Sequence, residues 1–182
     1  MSPTEDSAIV LSVCRGEPSG VERMVSVHQD ALYAYALRLM NDPDEASDVI
    51  QETFIRTYRA LCGKHDETEC RLFALRPYLF RIARNLAFNR HRAKRRMTAA
   101  YTAATEEMVR TNPTGDSEFS VSLSRALQKL SQSDRDLILL RFMEGMSYAD
   151  MVEICGTTEA AVRGKVFRVL QKLKKLLVVA DR

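Results

Sequence analysis

The chain has 182 residues, of which 46% are hydrophobic, and it carries a formal net charge of +3. This length suits one ordinary domain or two small ones, and the hydrophobic fraction excludes a disordered chain. Seven glycines, five prolines and no tryptophan leave little material for the many tight turns of an all-β fold. Composition therefore predicts an all-α protein.

Targeting and cysteine patterns exclude several further classes of protein. The N-terminus lacks a basic segment followed by an apolar stretch, and no run of about 18 apolar residues occurs, so we expect a cytoplasmic protein without membrane insertion. The four cysteines lie far apart with no Cys-x-x-Cys pair, which predicts reduced thiols. Because no nucleophile motif or glycine-rich phosphate loop occurs, we expect no enzyme, no cofactor and no small-molecule substrate.

Apolar residues at helical spacing predict helices in the first part of the chain. A short helix closed by Arg15-Gly16 precedes one from Pro18 to Met40, which Asn41-Asp-Pro43 stops. The next helix runs from near Asp44 to near Leu61, with acids in its first turn, where the helix dipole favours them. Its predicted buried stripe consists of Ala46, Val49, Ile50, Phe54 and Tyr58.

A polar segment from Cys62 to Leu75 is predicted to be a loop, and a basic helix follows from Pro77. A helical wheel of 100° per residue gives this helix two faces. We expect Leu79, Ile82, Ala83 and Leu86 on the buried side and Arg81, Asn85, Phe88 and Arg92 opposite, with Asn89 and Arg96 on their flank.

Charge is segregated along the chain. Residues 39–55 contain five acids and no base, whereas residues 71–96 contain nine Lys/Arg and no Asp/Glu. Residues 160–180 contain six Lys/Arg and again no acid. This pattern indicates two surfaces that face a polyanion and one that faces a basic or polar partner.

Turn and linker signals divide the chain in two. Thr, Asn-Pro and Gly-Asp replace helical periodicity between Thr98 and Ser120. We therefore predict a first domain over 1–97, a flexible linker over 98–120 and a second domain over 121–182. In the second domain, helices are expected over Val121–Leu130 and over Ser133–Met143, the latter opened by Ser133 with Asp136 and closed by Glu144-Gly145.

The last segment has the layout of a helix-turn-helix. A helix of about eight residues opened by Ser147 and Asp150 precedes a Cys-Gly-Thr-Thr turn and a longer helix from Glu159. The second helix of such a motif enters the DNA major groove. Its packed stripe is predicted to be Val162, Val166, Val169, Leu170 and Leu173, which leaves Arg163, Lys165, Phe167, Arg168 and Lys172 for base edges and phosphates.

Two separate motifs resemble one protein family. The acidic helix Asp42–Leu61 followed by Pro77–Asn85 resembles region 2 of the extracytoplasmic-function (ECF) sigma factors, and the C-terminal part resembles their region 4. The resemblance covers roughly Val21 to Leu176. The region 4 positions that match are Leu130, Arg135, Glu144-Gly145, Ser147-Tyr148, Gly156 and Arg168.

The resemblance implies a protein that binds the RNA polymerase core, directs it to promoters and helps to open the DNA, commonly under the control of an anti-sigma factor. It places Asp48, Gln51 and Glu52 on the surface that docks on the core. Asn85 and Asn89 match positions that read single-stranded bases of the downstream promoter element, and Arg81, Phe88 and Arg92 on the same face are expected to contact this DNA beside them. The loop from about Gly63 to Arg71 matches a pocket for a flipped-out base, and the helix from Glu159 would bind the upstream element.

Some questions stay open at the level of sequence. Phe88 either stacks on an unpaired base or packs beneath a neighbouring helix. Cys62, His65 and Cys70 share one loop, but three ligands at a nonstandard spacing are too few for a zinc site, so no metal is expected. The alternative functions are a free-standing helix-turn-helix regulator that binds duplex DNA as a dimer, and a structural protein whose charged faces bind only protein.

Overall fold

The fold was determined from a computed structural model that describes residues 3–62, 64, 66–100 and 118–180. The chain divides into two compact units, Met1–Thr105 and Glu106–Arg182. The described residues are helices and short connections without a strand, which confirms the all-α prediction. The predicted linker falls largely outside the described residues, so the boundaries 1–97, 98–120 and 121–182 stay a prediction.

The first unit contains five helices, whose ends follow from local chain chemistry in the described residues. Gly16 and Asn41 adopt left-handed backbone conformations, with φ of 73° and 61°, and terminate the first two helices where the sequence predicts it. Prolines occupy the first turns of the second and third helices, where no backbone donor is lost. The helices are α1 (Pro3–Cys14), α2 (Pro18–Met40), α3 (Pro43–Leu61), α4 (Glu67–Leu72) and α5 (Leu75–Ala100).

Helix α4 corrects the predicted loop between Cys62 and Leu75. The side chain of Asp66 accepts a hydrogen bond from the Thr68 backbone N–H at 2.8 Å and caps the helix, and Glu67 and Glu69 lie in its first turn. An aspartate N-cap followed by acids predicts the start of a helix, but the polar composition of the segment suggests a loop.

The core of the first unit lies where α2 packs against α1, α3 and α5. Tyr35 of α2 and Phe80 of α5 meet edge to face at its centre, with ring centroids 5.2 Å apart. The buried side of α5 is turned from the predicted one, since Phe80 and Ala87 are buried beside Leu79 and Ala83. The predicted core residues Ile82 and Leu86 are half-buried instead.

The buried stripe of α3 also differs from the prediction at one position. Ala46, Val49, Ile50 and Phe54 are buried as expected, but Tyr58 is 41% exposed. Thr53 and Thr57 complete the buried side, because each hydroxyl donates to the carbonyl four residues earlier, Val49 O at 2.7 Å and Thr53 O at 2.8 Å. A threonine hydroxyl that already donates a hydrogen bond can be buried, although its polar residue type predicts exposure.

Gly20 allows α2 to lie unusually close to α1. A Cβ at this position would stand 2.6 Å from the backbone N of Val13 and 2.8 Å from the carbonyl C of Ser12. We expect Gly20→Ala to lower the free energy of unfolding of the first unit by about 1–3 kcal/mol, because backbone cannot move aside as a flexible side chain would. Chemical denaturation of the full chain measures this loss.

Gly164 provides the matched control. It lies in an exposed helical position of the second unit, and a Cβ added there would meet no neighbouring group within 4 Å. Gly164→Ala should therefore raise the free energy of unfolding by about 0.5–1 kcal/mol through the lower backbone entropy of alanine. Equal effects of the two substitutions would contradict the proposed crowding at Gly20.

The second unit contains four helices among its described residues. The helix predicted over Ser133–Met143 needs correction at its start and near its end. The N-cap of the second of these helices is Ser131, whose hydroxyl accepts from the Asp134 N–H at 3.2 Å, and not Ser133. That helix continues as a π-helical turn over Leu139–Met143, and Gly145 then adopts φ of 64°. The helices are α6 (Glu118–Gln128), α7 (Gln132–Ile138), α8 (Tyr148–Cys155) and α9 (Glu159–Ala180).

Packing in the second unit centres on α9, which contacts α6, α7 and α8. Its residues Val162, Val166, Val169 and Leu173 are buried, whereas Leu170, predicted to be in the same stripe, is 36% exposed. The guanidinium of Arg135 donates to the Leu127 and Gln128 carbonyl oxygens, each at 3.0 Å, and ties the end of α6 to α7; burial lowers the pKa of this arginine below its usual range. Buried Leu137, Ile138, Leu139 and Leu140 form the other side of the core.

Candidate functional site

The acidic face of α3 carries the three residues predicted to dock on a partner. Asp48 and Gln51 are exposed, and the Glu52 side chain is 37% exposed. Glu52 Oε1 accepts from Nε of Arg56 at 2.7 Å, one turn further along the same helix. Ile55, which is 43% exposed, lies on the same side one turn after Gln51 and was missed by the sequence prediction. The face therefore combines carboxylates and an amide with an accessible apolar group.

Part of the basic helix α5 is turned toward these acids. Nη1 of Arg90 lies 3.2 Å from Oδ2 of Asp48. Nζ of Lys94 pairs with Glu45 and lies 3.6 Å from Oδ2 of Asp42. The acidic and basic segments that the sequence separates thus meet along the α3–α5 contact. Both carboxylates predicted to dock are paired within the unit, Asp48 with Arg90 and Glu52 with Arg56.

Asp42 connects this ion-pair group to the start of α3. Its Oδ1 accepts from the backbone N–H groups of Asp44 and Glu45, both at 3.1 Å, and so caps the helix. The hydrogen bond from Glu45 N–H is the main reason that the pKa of Asp42 lies below its ordinary value, and the charge of Lys94 acts in the same direction.

We expect Asp42→Ala to lower the free energy of unfolding of the first unit by about 0.5–2 kcal/mol at pH 7, because a helix N-cap is lost. A carboxyl whose pKa is lower in the folded state stabilises above its unfolded pKa of about 3.9, and this contribution disappears as pH falls through the folded pKa. The difference between wild type and variant should therefore shrink in acid. Thermal unfolding of both proteins from pH 7 to pH 3 measures it.

Asp44→Ala is the control for the capping prediction. Asp44 is an exposed acid in the same first turn, but it interacts with the helix dipole and not as the cap. An equal loss of stability on substituting either aspartate would refute the assignment to Asp42.

The outer face of α5 holds the residues predicted to contact nucleic acid. Asn85, Asn89 and Arg92 are exposed, and Arg81 is half-buried with its guanidinium 4.8 Å from the centre of the Tyr78 ring. The aromatic ring supports this arginine from one side. The face presents two amides and long cations together, without an acid between residues 71 and 96.

Phe88 occupies an intermediate position on this face. Its side chain is half-buried, and the guanidinium of Arg84 stands 4.5 Å from the ring centre. The ring is thus neither a core residue like Phe80 nor fully exposed. Whether it stacks on a base stays a prediction.

Cys62 and Cys70, which the sequence groups in one loop before α5, lie in different surroundings in the structure. Gly63 and His65 lie outside the described residues, so the predicted base pocket is not described as a whole. Cys62 is exposed, and Cys70 is buried against Cys14 of α1. No cluster suited to a metal ion occurs among the residues that the structure describes.

Helices α8 and α9 form the predicted helix-turn-helix. Ser147 and Asp150 make a reciprocal capping box at the start of α8. Gly156, with φ of 62°, ends α8, and Val162 and Val166 anchor α9 against the unit. This arrangement leaves the first turns of α9 accessible, as a groove-binding helix requires.

The predicted upstream-element residues Arg163, Lys165, Phe167, Arg168 and Lys172 are all exposed on α9. Nε and Nη2 of Arg163 donate to Oε1 of Glu159 at 2.8 and 2.6 Å, and its guanidinium lies 4.1 Å from the centre of the Tyr148 ring. Nζ of Lys172 pairs with Asp134 of α7 at 2.7 Å, so this lysine is turned toward the body of the unit. Tyr148 also stacks on Arg141 at 4.6 Å and is a positioning residue, a role that its match to a region 4 position did not predict.

Family comparisons match both units. Sigma-70 region 2 matches residues 24–97, and Sigma-70 region 4 matches residues 120–173. The RNA polymerase sigma factor NccH of Alcaligenes xylosoxydans xylosoxydans is 31% identical over 96% of each chain. The RNA polymerase sigma-H factor of Pseudomonas aeruginosa is 27% identical over 97% of this chain and 96% of its own length.

Solved structures agree in fold. The sigma factor RpoE of Bartonella quintana, in complex with the anti-sigma factor NepR, is 27% identical, with a TM-score of 0.72 over 88% of this chain and 98% of its own. CnrH, in complex with the cytosolic domain of CnrY, shares the fold at 24% identity, with a TM-score of 0.71 over 96% of this chain and 98% of its own.

The matches to both regions define a transcription initiation factor that binds core RNA polymerase, directs it to specific promoters and assists DNA opening, rather than a member of a catalytic enzyme family. The chain belongs to the extracytoplasmic-function sigma factors of the sigma-70 superfamily. The expectation from the sequence about family and function is thereby confirmed. In the described part of the chain, no helix has the length and apolar character needed to cross a membrane.

Proposed function

We propose that the two units divide the work of promoter recognition between three helix faces. The acidic face of α3 docks on the polymerase core, the outer face of α5 reads and holds the opened downstream element, and α9 enters the major groove of the upstream element. The observation that supports this most strongly is the outer face of α5, where exposed Asn85 and Asn89 stand among cations on an acid-free stretch.

Docking through α3 is supported by the chemistry of its exposed side chains. Asp48, Gln51 and Glu52 present acceptors on one side of a rigid helix, and Ile55 adds an apolar contact. Complementary charge fixes the register of such an interface, while a desolvated apolar group adds affinity. The Arg90 pair holds Asp48 in place, so this carboxylate is oriented before the partner arrives.

The outer face of α5 suits single-stranded DNA. Amide side chains can form paired hydrogen bonds with an exposed base edge, and arginines such as Arg81 and Arg92 can hold the flanking phosphates. Arg81 is supported by Tyr78 and is therefore partly preorganised for this contact. Phe88 is half-buried on the same helix, and its ring would stack on an unpaired base beside the amides.

The upstream element would be read from the start of α9. Arg163 is held by Glu159 and Tyr148, so less side-chain freedom is lost when it meets a base or phosphate. The exposed side chains of Lys165, Phe167 and Arg168 continue this surface along the next two turns of α9. Lys172, paired with Asp134, would serve as a peripheral phosphate contact after leaving that pair.

We also propose a protein partner that controls access to these faces. RpoE of Bartonella quintana, which is similar over most of its length, was solved with an anti-sigma factor. A comparable partner of this chain would be expected to cover the same docking faces. The chain itself would act in the cytoplasm as a binding subunit, without catalysis of its own.

Transcription with purified core polymerase on a library of genomic promoter fragments tests this proposal. We expect the chain alone to bind promoter duplex weakly, because α5 faces single-stranded DNA, and to gain specific binding with core. Increasing salt should weaken the complex steeply, since phosphate contacts release counterions. Tight specific binding of an isolated dimer, with no transcription when core is added, would instead support a free-standing helix-turn-helix regulator.

A further inference from the structure

Helix α4 is held by three contacts to α1 and to Arg15, the residue that follows it. Ser7 Oγ donates to the Arg71 carbonyl oxygen at 3.0 Å, and Nη2 of Arg15 lies 2.5 Å from Oε1 of Glu67. Both contacts are exposed to solvent, where such pairs contribute little. The third contact joins two cysteine sulfur atoms, of which the one on α4 is buried.

The third contact joins Cys14, the last residue of α1, to Cys70 of α4. Their Sγ atoms lie 2.6 Å apart, which approaches the ~2.05 Å of a disulfide bond. Cys70 is 1% exposed and Cys14 is half-buried, and both are free thiols. Burial and the hydrogen bond with Cys70 raise the pKa of Cys14 to about 12, so this thiol stays protonated at neutral pH.

We propose that Cys14 and Cys70 are a redox modification site, which closes to a disulfide under a peroxide or disulfide oxidant and then fastens α4 covalently to α1. The two sulfur atoms need to approach each other by only about 0.5 Å to reach the length of a disulfide bond. The sequence hypothesis grouped Cys70 with Cys62 and His65, whereas the structure pairs it with a cysteine 56 positions earlier.

The reaction with hydrogen peroxide balances without a further reagent. Cys14, the more accessible of the two cysteines, reacts through the small fraction of thiolate that its raised pKa leaves, so this step should be slow at neutral pH and faster in base. The thiolate attacks a peroxide oxygen, breaks the O–O bond and becomes a sulfenic acid, while the released hydroxide takes up the proton that the thiol lost. The second sulfur then attacks the sulfenic sulfur, and its oxygen leaves as water. Two thiols and one peroxide thus give one disulfide and two waters, with two electrons passed to the peroxide.

The disulfide would change the behaviour of α4 more than that of any other described helix. This helix has six residues and packs mainly on α1, so without the covalent bond it can open locally. The disulfide would join residues 56 positions apart, and a cross-link that closes so long a loop strongly reduces the entropy of the unfolded chain. We therefore expect slower amide exchange in α4 and a Tm of the first unit higher by roughly 10 °C.

The test treats the full chain with hydrogen peroxide, blocks the remaining thiols and maps peptides without reduction. We expect a linked peptide containing Cys14 and Cys70, loss of two hydrogens from the intact mass, and reversal by dithiothreitol. Cys155→Ala, in the other unit, is the matched control and should behave as the wild type. Cys14→Ala and Cys70→Ala should lose both the linked peptide and the rise in Tm.

Exposed Cys62 provides the competing outcome, because it lies close enough for its charge to raise the pKa of Cys14. A peptide that links Cys62 to either partner, or oxidation that stops at Cys62, would overturn the proposal. The peptide map of the wild type decides this even if an alanine variant fails to fold. No polymerase is needed, so a negative result leaves the proposed function untouched.

Discussion

Replacing Asn85 and Asn89 together by alanine is expected to slow promoter opening by about 100-fold while core affinity stays within about twofold. Each amide that pairs with a base edge contributes about 1–3 kcal/mol, and two such losses combine to this order. Both side chains are exposed on α5, and alanine favours the helix more than asparagine does, so the fold should be retained. Stopped-flow fluorescence of a base analogue in the downstream element measures opening.

Gln29→Ala is a suitable control for this double variant. Gln29 is an exposed amide on α2, and its removal changes helix composition in the same way without touching α5. It should leave opening unchanged. If the double variant loses core affinity instead, the roles assigned to α3 and α5 are reversed.

Replacing Gln51 and Glu52 together by alanine is expected to weaken core association by about 10- to 100-fold. An interfacial charged pair that loses one partner typically costs about 2 kcal/mol or more, and the neighbouring amide adds to this. Loss of Glu52 also releases Arg56 from its ion pair, which leaves the positive charge of Arg56 unpaired on the docking face. Equilibrium binding of labelled protein to purified core measures the effect, and thermal unfolding checks that the fold is retained.

Gln29→Ala combined with Asp30→Ala is the matched control, because these adjacent residues of α2 are also one amide and one exposed acid. It removes the same functional groups and the same net charge from another helix. An unchanged affinity of the Gln51/Glu52 variant, or an equal loss in the α2 control, would refute docking through α3. Higher salt should reduce the difference between wild type and the docking variant.

Most helix ends follow from the sequence by itself, because they depend on a few adjacent residues. Asn41 and Gly156 stop helices by adopting positive φ, and Ser147 with Asp150 closes a capping box that the sequence predicts. The charge segregation along the chain is likewise fixed by composition. These local features, together with the two motifs, were sufficient for the fold class and the family.

Only the tertiary structure decided which side of each helix is covered. Periodicity placed Tyr58 and Leu170 in buried stripes, yet both are partly exposed. Phe80 is buried because Tyr35 of another helix meets it, which no pattern within α5 can show. The sequence of a helix determines which residues form its apolar stripe, but segments distant in sequence determine how much of that stripe is buried.

The same distinction applies to the candidate sites. The sequence predicted Asp48 as a docking residue and Cys70 as part of a loop cluster, but it could not indicate that Arg90 pairs with the first or that Cys14 faces the second. Both contacts join residues more than forty positions apart. Residue types and spacing therefore determined which chemistry this chain carries, whereas packing between helices decided which groups meet, because contact at that separation is set by the fold.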